Sequence, residues 1–252
     1  MFPLYDDNLR LYTPFGTVLI IVLNVLVWFV LQGFGSEQAL ARSLCLHGLI
    51  PGDLLGHVSM GTEVPLGQGL VCRIDGNGSW FSVLSSMFMH AGWFHIAGNM
   101  WFLWIFGDNV EDAMGTVRFV IFYLLCGFAA AAAQVFSDPA SVVPMVGASG
   151  AIGGVLGAYA RLYPQARVHT LIFLGFYVTT VAVSALFMLG YWFLIQIVSG
   201  MVDDGGGGTA FWAHVGGFAA GLLLSMLLVS PARIAEHRDR QRRELSSRYR
   251  WF

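Results

Sequence analysis

The distribution of charge constrains this chain more than any other feature. Its Asp, Glu and Arg residues (there is no Lys) leave six long intervals without a charge: residues 11–36, 76–107, 119–137, 139–160, 168–202 and 205–232. Each can hold the ~20 apolar residues that cross ~30 Å of hydrocarbon at ~1.5 Å per residue. The chain is 56% hydrophobic and 11% charged, with a mean hydropathy of +0.67. A soluble domain carries roughly 25% charged residues, so water cannot be the only solvent here. The expected fold is an all-α membrane protein, a bundle of six transmembrane helices with no soluble second domain. The first interval runs past signal-peptide length with no small-residue cleavage site behind it, and is read as a retained span.

Orientation follows from the 13 arginines. Six spans put both termini on one side, and that side then holds Arg10, Arg118, Arg161, Arg167 and the seven arginines of the tail, 11 of the 13. The positive-inside rule makes that side cytoplasmic. The organisation expected is a short cytoplasmic N-terminus (1–14), a six-span domain (15–230) with a long first outer loop at about 35–79, and a basic cytoplasmic tail (231–252). The fifth interval is long enough for two spans, but seven crossings would put the arginine tail outside. We therefore expect Val168 to about Thr180 to form an interfacial or re-entrant piece broken near Gly175, and Val183–Met201 to be the span.

Outside the spans, the first outer loop holds Cys45 and Cys72 on the side where oxidation is possible. A disulfide and two free thiols are both open at this point. The run Gly205–Gly208 reads as a hinge beside His214 or as a plain connector, and the arginine tail as a lipid-binding segment or a topological anchor.

The polar residues inside the spans fall at one depth. Span two begins near Trp93 and carries His95 and Asn99, four apart and so on one face. Span four begins at Ser149, in Gly147-Ala148-Ser149-Gly150, and span six near His214. A hydroxyl nucleophile and an imidazole base set into hydrocarbon are expensive without a use, and all four side chains should lie in the outer third of the membrane. Gly153 and Gly157 on span four, and Ala213, Gly217 and Gly221 on span six, form small-residue rows that let helix backbones approach closely. Such a crossing would bring Ser149 and His214 together. Asn24, Gln134 and Gln196 are expected to hydrogen-bond between helices, Cys126 to pack as a small apolar residue, and Trp80, Trp93, Phe211 and Trp212 to anchor the interfaces.

Together, His90-Ala-Gly-Trp-Phe-His95-Ile-Ala-Gly-Asn99, Gly147-Ala148-Ser149-Gly150 and Ala213-His214-Val-Gly-Gly resemble the rhomboid intramembrane serine proteases, over about Pro14 to Val229. The resemblance implies a rhomboid-like bundle in which Ser149 is the nucleophile and His214 its general base, a dyad without a carboxylate. It implies an oxyanion hole from His95, Asn99 and the backbone at Ala148 and Ser149. His90, Gly147, Gly150, Gly153 and Gly217 would be structural supports. One departure stands out: relatives commonly place an aromatic residue one turn after the nucleophile, stacked on the base, and here that position is Gly153.

The implied chemistry uses no cofactor and no metal. Its partners would be transmembrane protein substrates and the lipid bilayer, not nucleic acid, with weak Gly- or Pro-containing helix ends that pass sideways beyond span five. Small residues are expected at the cleaved bond, since the pocket is read as lined by Gly and Ala. The expected location is a bacterial plasma membrane, with the site facing outward. Two other classes compete: a catalytically inactive rhomboid-like protein that binds membrane clients, and a metal site or transporter built on His90, His95 and His214, which lacks an accompanying zinc signature.

Overall fold

Each of the six charge-free intervals overlaps a helix in the computed structural model, which describes residues 2–67, 70–74, 76, 78–174, 177–203 and 209–248. In chain order the helices are α1 (Phe15–Val30), α2 (Glu37–His47), α3 (Pro51–Leu54), α4 (Ser82–Ser85), α5 (Trp93–Met114), α6 (Thr116–Ser137), α7 (Ser149–Leu162), α8 (Ala185–Val202), α9 (Phe211–Leu228) and α10 (Pro231–Arg248). Three of them, α6, α8 and α9, are long and apolar enough to cross a membrane by length and composition, and α1 is a shorter apolar helix. The Gly205–Gly208 run and Gly175 lie outside the described residues.

At the centre stands α7, buried continuously from Gly150 to Ala160. Its packing is set by glycine. A Cβ on Gly217 would lie 1.9 Å from the Gly150 carbonyl oxygen, one on Gly221 would lie 1.9 Å from that of Gly154, and one on Gly157 would lie 2.2 Å from that of Phe218. The small-residue rows on α7 and α9 thus meet backbone to backbone, as lipid-embedded helices do when no side chain intervenes. A third helix, α6, closes on the same pair through its Ala-rich face, since a Cβ on Gly216 would meet Ala133 at 2.3 Å. Only 14 residues long, α7 spans about 21 Å, less than the hydrocarbon thickness. Ser149 is its first residue and faces α9.

The structure departs from an all-α bundle in two places. Arg167–Leu174 (β4) and Tyr177–Ser184 (β5) pair antiparallel, and the N-terminal strand Phe2–Asp6 (β1) adds to β4, giving a sheet of order β1-β4-β5. The segment expected to be interfacial or re-entrant is thus a hairpin, whose β-branched Val and Thr residues favour the extended backbone. The following helix begins at Ala185, close to the expected span. The second sheet lies in the long segment between α1 and α5, where Glu63–Gly67 (β2) pairs with Leu70–Arg73 (β3). There the Cys45–Cys72 disulfide is formed, tying α2 to β3 with a Cα–Cα distance of 5.4 Å. Ile50, Val64, Cys72 and Ile74 make a small core beneath it.

This segment supports the chain that leads into α7. Leu49 and Met145 exchange backbone hydrogen bonds of 3.0 and 2.8 Å, Gly52 donates to Ser141 O at 2.9 Å, and Gly147 donates to Ser86 O at 2.9 Å.

At the opposite end of the bundle, α5 runs past the charge-free interval through Asp108, Glu111 and Asp112. Glu111 accepts from the Gly16 and Thr17 N–H groups, both at 2.8 Å, from Thr17 Oγ1 at 2.9 Å and from Thr116 Oγ1 at 2.7 Å. It therefore satisfies the amides that α1 leaves free at its start. Asp112 does the same for Leu11 and Tyr12. Asp6 accepts from Tyr159 on α7 and from Asn109 on α5.

Candidate active site

Ser149 opens α7 directly after Gly147, whose φ of +126° suits glycine and disfavours any side chain. A Cβ at Gly147 would also lie 2.7 Å from His95 Nε2. The missing side chain at Gly147 therefore leaves room for the His95 ring beside the turn into α7. The first helical hydrogen bond of α7 runs from Ile152 N to Ala148 O at 3.0 Å, so the N–H groups ahead of it are those a helix leaves unpaired at its positive end.

Across the glycine crossing, His214 Nε2 lies 2.8 Å from Ser149 Oγ. Its other nitrogen, Nδ1, lies 2.7 Å from Gln196 Oε1 on α8. Trp192, one turn earlier on α8, lies against the His214 ring at a centroid distance of 5.7 Å and an angle of 37°. Gly153 faces the backbone of α9, with a virtual Cβ 3.0 Å from His214 O. That spacing leaves no room for the aromatic residue expected there by resemblance, and an aromatic from α8 lies against the imidazole in its place.

His95 and Asn99, on one face of α5, line the same cavity as Ser149 and His214, a space of about 500 Å³. His95 Nδ1 accepts from Ala91 N at 3.3 Å, which in the neutral ring leaves the proton on Nε2, the atom nearest Gly147. Asn99 is buried, and its Nδ2 has no hydrogen-bond partner. A buried amide donor without a partner costs about 1–3 kcal/mol, a cost that a ligand oxygen in the cavity would remove. The wall is less uniformly small than expected: Gly98, Ala91 and Ala210 are joined by Phe94, Phe102, Ile152, Leu156 and Trp192. A second cavity of about 330 Å³ adjoins it between the end of α8 and the start of α9 and includes Gln134, Asp203 and Trp212.

His90 stays outside this cluster. Its ring is buried, edge-on to His95 at 5.1 Å, and its backbone is clamped by Gln32, which accepts from His90 N at 2.9 Å and donates to His90 O at 2.7 Å. Among the described residues, no three His, Cys, Asp or Glu side chains are arranged to hold a metal ion. Of the polar residues expected to bridge helices, Gln134 accepts from Ala213 N at 3.3 Å and Gln196 reaches His214. Asn24 instead donates to Ile20 O in its own helix. Cys126 is buried as a free thiol packed against Gly154.

Residues 77–231 match the family model of the Rhomboid domain, which takes in every one of these cavity-lining polar residues. The chain belongs to the rhomboid family. It is 28% identical over 226 residues to rhomboid protease GluP of Bacillus subtilis, covering 87% of this chain and 39% of that protein. To rhomboid protein 1, mitochondrial, of Saccharomyces cerevisiae it is 29% identical over 184 residues, covering 69% and 48%. A third relative, putative rhomboid protease YdcA of Bacillus subtilis, is 32% identical over 83 residues, covering 33% and 41%. The chain spans about half the length, or less, of these rhomboid relatives. They come from a bacterium and a mitochondrion, and a chloroplastic one also matches. The comparison supports an integral membrane protein and does not select one membrane.

Sequence reasoning found Ser149, His214, His95 and Asn99, which the structure brings together. Gln196 bonds between helices as expected, but neither its partner, His214, nor the approach of Trp192 to that ring was anticipated. The spacing of four between Trp192 and Gln196, which puts both on one face of a helix, was the available signal.

Proposed function

We propose that this rhomboid is an intramembrane serine endopeptidase that hydrolyses peptide bonds in or near the transmembrane segments of other membrane proteins. The observation that carries the reading is the 2.8 Å approach of His214 Nε2 to Ser149 Oγ at a cavity lined by the unpartnered Asn99 Nδ2. Ser149 Oγ attacks the scissile carbonyl carbon while its proton passes to Nε2. The developing oxyanion is held by Asn99 Nδ2, His95 Nε2–H and the free amides at the start of α7, including that of Ser149. The imidazolium then protonates the leaving amine, and water repeats the sequence on the acyl-enzyme.

We read α1, α5, α6, α7, α8 and α9 as six spans, with residues 1–14 and 231–252 on the arginine-rich cytoplasmic side. The site then opens to the extracytoplasmic side, where water can reach Ser149. A helix protects its carbonyls, so substrates are transmembrane segments whose ends unwind, passing laterally beyond α8. A bacterial plasma membrane suits the charge distribution.

The test is cleavage of a single-span reporter in liposomes by wild type, Ser149→Ala and His214→Ala, with and without chelator. Cleavage by wild type alone, unchanged by chelator, is expected. Equal cleavage by either variant would show the assigned dyad to be wrong. Binding of the reporter without cleavage by wild type would favour a client-binding rhomboid.

A further inference from the structure

We infer that Gln196 is a positioning residue for the reaction, fixing the tautomer and orientation of His214 from a helix that contributes neither dyad member. The inference rests on the serine-protease reading and extends it. A general base must present a lone pair at Nε2, which in the neutral ring requires the proton on Nδ1. Gln196 Oε1, 2.7 Å from Nδ1, supplies an acceptor that selects this tautomer. When Nε2 takes the Ser149 proton, the Nδ1–H remains on the ring and donates to the same oxygen, so the imidazolium is met by a dipole already in place. Among the described residues no acidic side chain lines this cavity, and His95 is the one titratable side chain in its wall besides His214.

Trp192 fixes the remaining freedom of the ring. It lies one turn from Gln196 and lies against the face of the imidazole whose hydrogen-bonding edges are held by Gln196 and Ser149. Together the two α8 residues do what a carboxylate and a stacked aromatic do elsewhere. The burial of α8 supports a specific role for Gln196: Ala185, Met188 and Leu189 bury its inner end, and beyond them Gln196 is its one buried residue. Phe193 stacked on Phe218 at 4.3 Å and Gly200 against Trp212 already join this half of α8 to α9, so packing alone does not call for a buried amide at Gln196. A polar amide buried where apolar packing would be cheaper needs a partner that uses it.

Full-length wild type, Gln196→Leu and Gln196→Glu are compared in detergent for reporter kcat and KM, the pH dependence of kcat/KM, fluorophosphonate labelling of Ser149, and thermal unfolding. Gln196→Leu should lower kcat and the labelling rate together by about 10- to 100-fold, with KM and unfolding temperature held. Gln196→Glu keeps an acceptor and adds a charge favouring the imidazolium, so it should retain activity and move the acid limb to higher pH. Wild-type kcat and acid limb in Gln196→Leu would overturn the inference. So would equal losses in both variants with an unmoved limb and lowered unfolding temperatures, the pattern of a packing role. A wild type that neither cuts nor labels would instead remove the serine-protease reading, and this inference with it.

Discussion

Adding one methyl group at Gly217 should separate the dyad without touching either member. A Cβ there would lie 1.9 Å from Gly150 O and 2.9 Å from Gly150 C, both backbone atoms that no side-chain rotation can move aside. Ordinary carbon–oxygen contact is about 3.3 Å, so α7 and α9 must part by about 1.4 Å at this crossing. Gly150 follows Ser149 and Gly217 lies one turn beyond His214, so the separation reaches the 2.8 Å Nε2–Oγ approach almost undiminished. At about 4 Å no hydrogen bond remains. A misplacement of about 1 Å can lower the rate about 100-fold, while the overpacking costs about 1–3 kcal/mol. Gly217→Ala should therefore label with fluorophosphonate at least 100-fold more slowly than wild type, at temperatures where unfolding curves report it folded. Gly190→Ala on α8 is the control, because nothing lies within 4 Å of the added carbon. If Gly217→Ala is folded and labels at the wild-type rate, the glycine crossing does not set the dyad and the packing argument fails.

Three further outcomes follow from other parts of the molecule. Asn99→Ala should lower kcat by about 10²- to 10³-fold with KM little changed if, as proposed, its amide donates to the oxyanion; a KM effect alone, in steady-state reporter cleavage, would make it a substrate-binding residue. Burial pushes Asp6 up to about 6 from the ordinary 3.8, against the opposing pull of the Tyr159 hydroxyl. The folded state then binds this proton more tightly than the unfolded one, so the stability it contributes is full below about pH 4 and is lost as pH rises through about 6. Wild type should lose unfolding temperature relative to Asp6→Asn across that window, and parallel curves would refute the assignment. Replacing Cys45 and Cys72 with Ser opens a link across a sequence separation of 27, worth roughly 3.5 kcal/mol of loop-closure entropy; proteolysis of the segment between α1 and α5 should quicken, and an unchanged rate would mean that its core holds without the bond.

The site was legible because its residues obey positional rules that need no structure. Ser149 and His214 begin apolar runs of the same direction, and His95 and Asn99 share a face at the start of another. Gly153, Gly157, Gly217 and Gly221 announce which helices touch, and a virtual Cβ at each would meet backbone of the partner helix. What holds the His214 ring was harder to read. Gln196 lies in an apolar helix where a polar residue has two ordinary uses, joining helices or serving chemistry, and its sequence does not say which partner it finds. The empty position at Gly153 pointed to a missing aromatic without naming Trp192, since that helix is joined to α7 through a hairpin whose geometry no helical periodicity describes.

The charge count also misjudged where helices stop, and the reason is physical. It treats every carboxylate as a solvent marker, so it ended the second interval at residue 107. Yet α5 continues to Met114, because Glu111 meets four donors from α1 and Thr116 and Asp112 meets two amides just before α1. A carboxylate satisfied in this way need not reach bulk water and can lie within one helix while it caps the start of another. The same count absorbed Val168–Ser184 into an apolar interval, because hydropathy does not distinguish a strand from a helix. The Val- and Thr-rich run Tyr177–Ser184 could have separated them through its β-branched residues. Partnership and branching, rather than charge and hydropathy alone, decide where this bundle ends and its sheet begins.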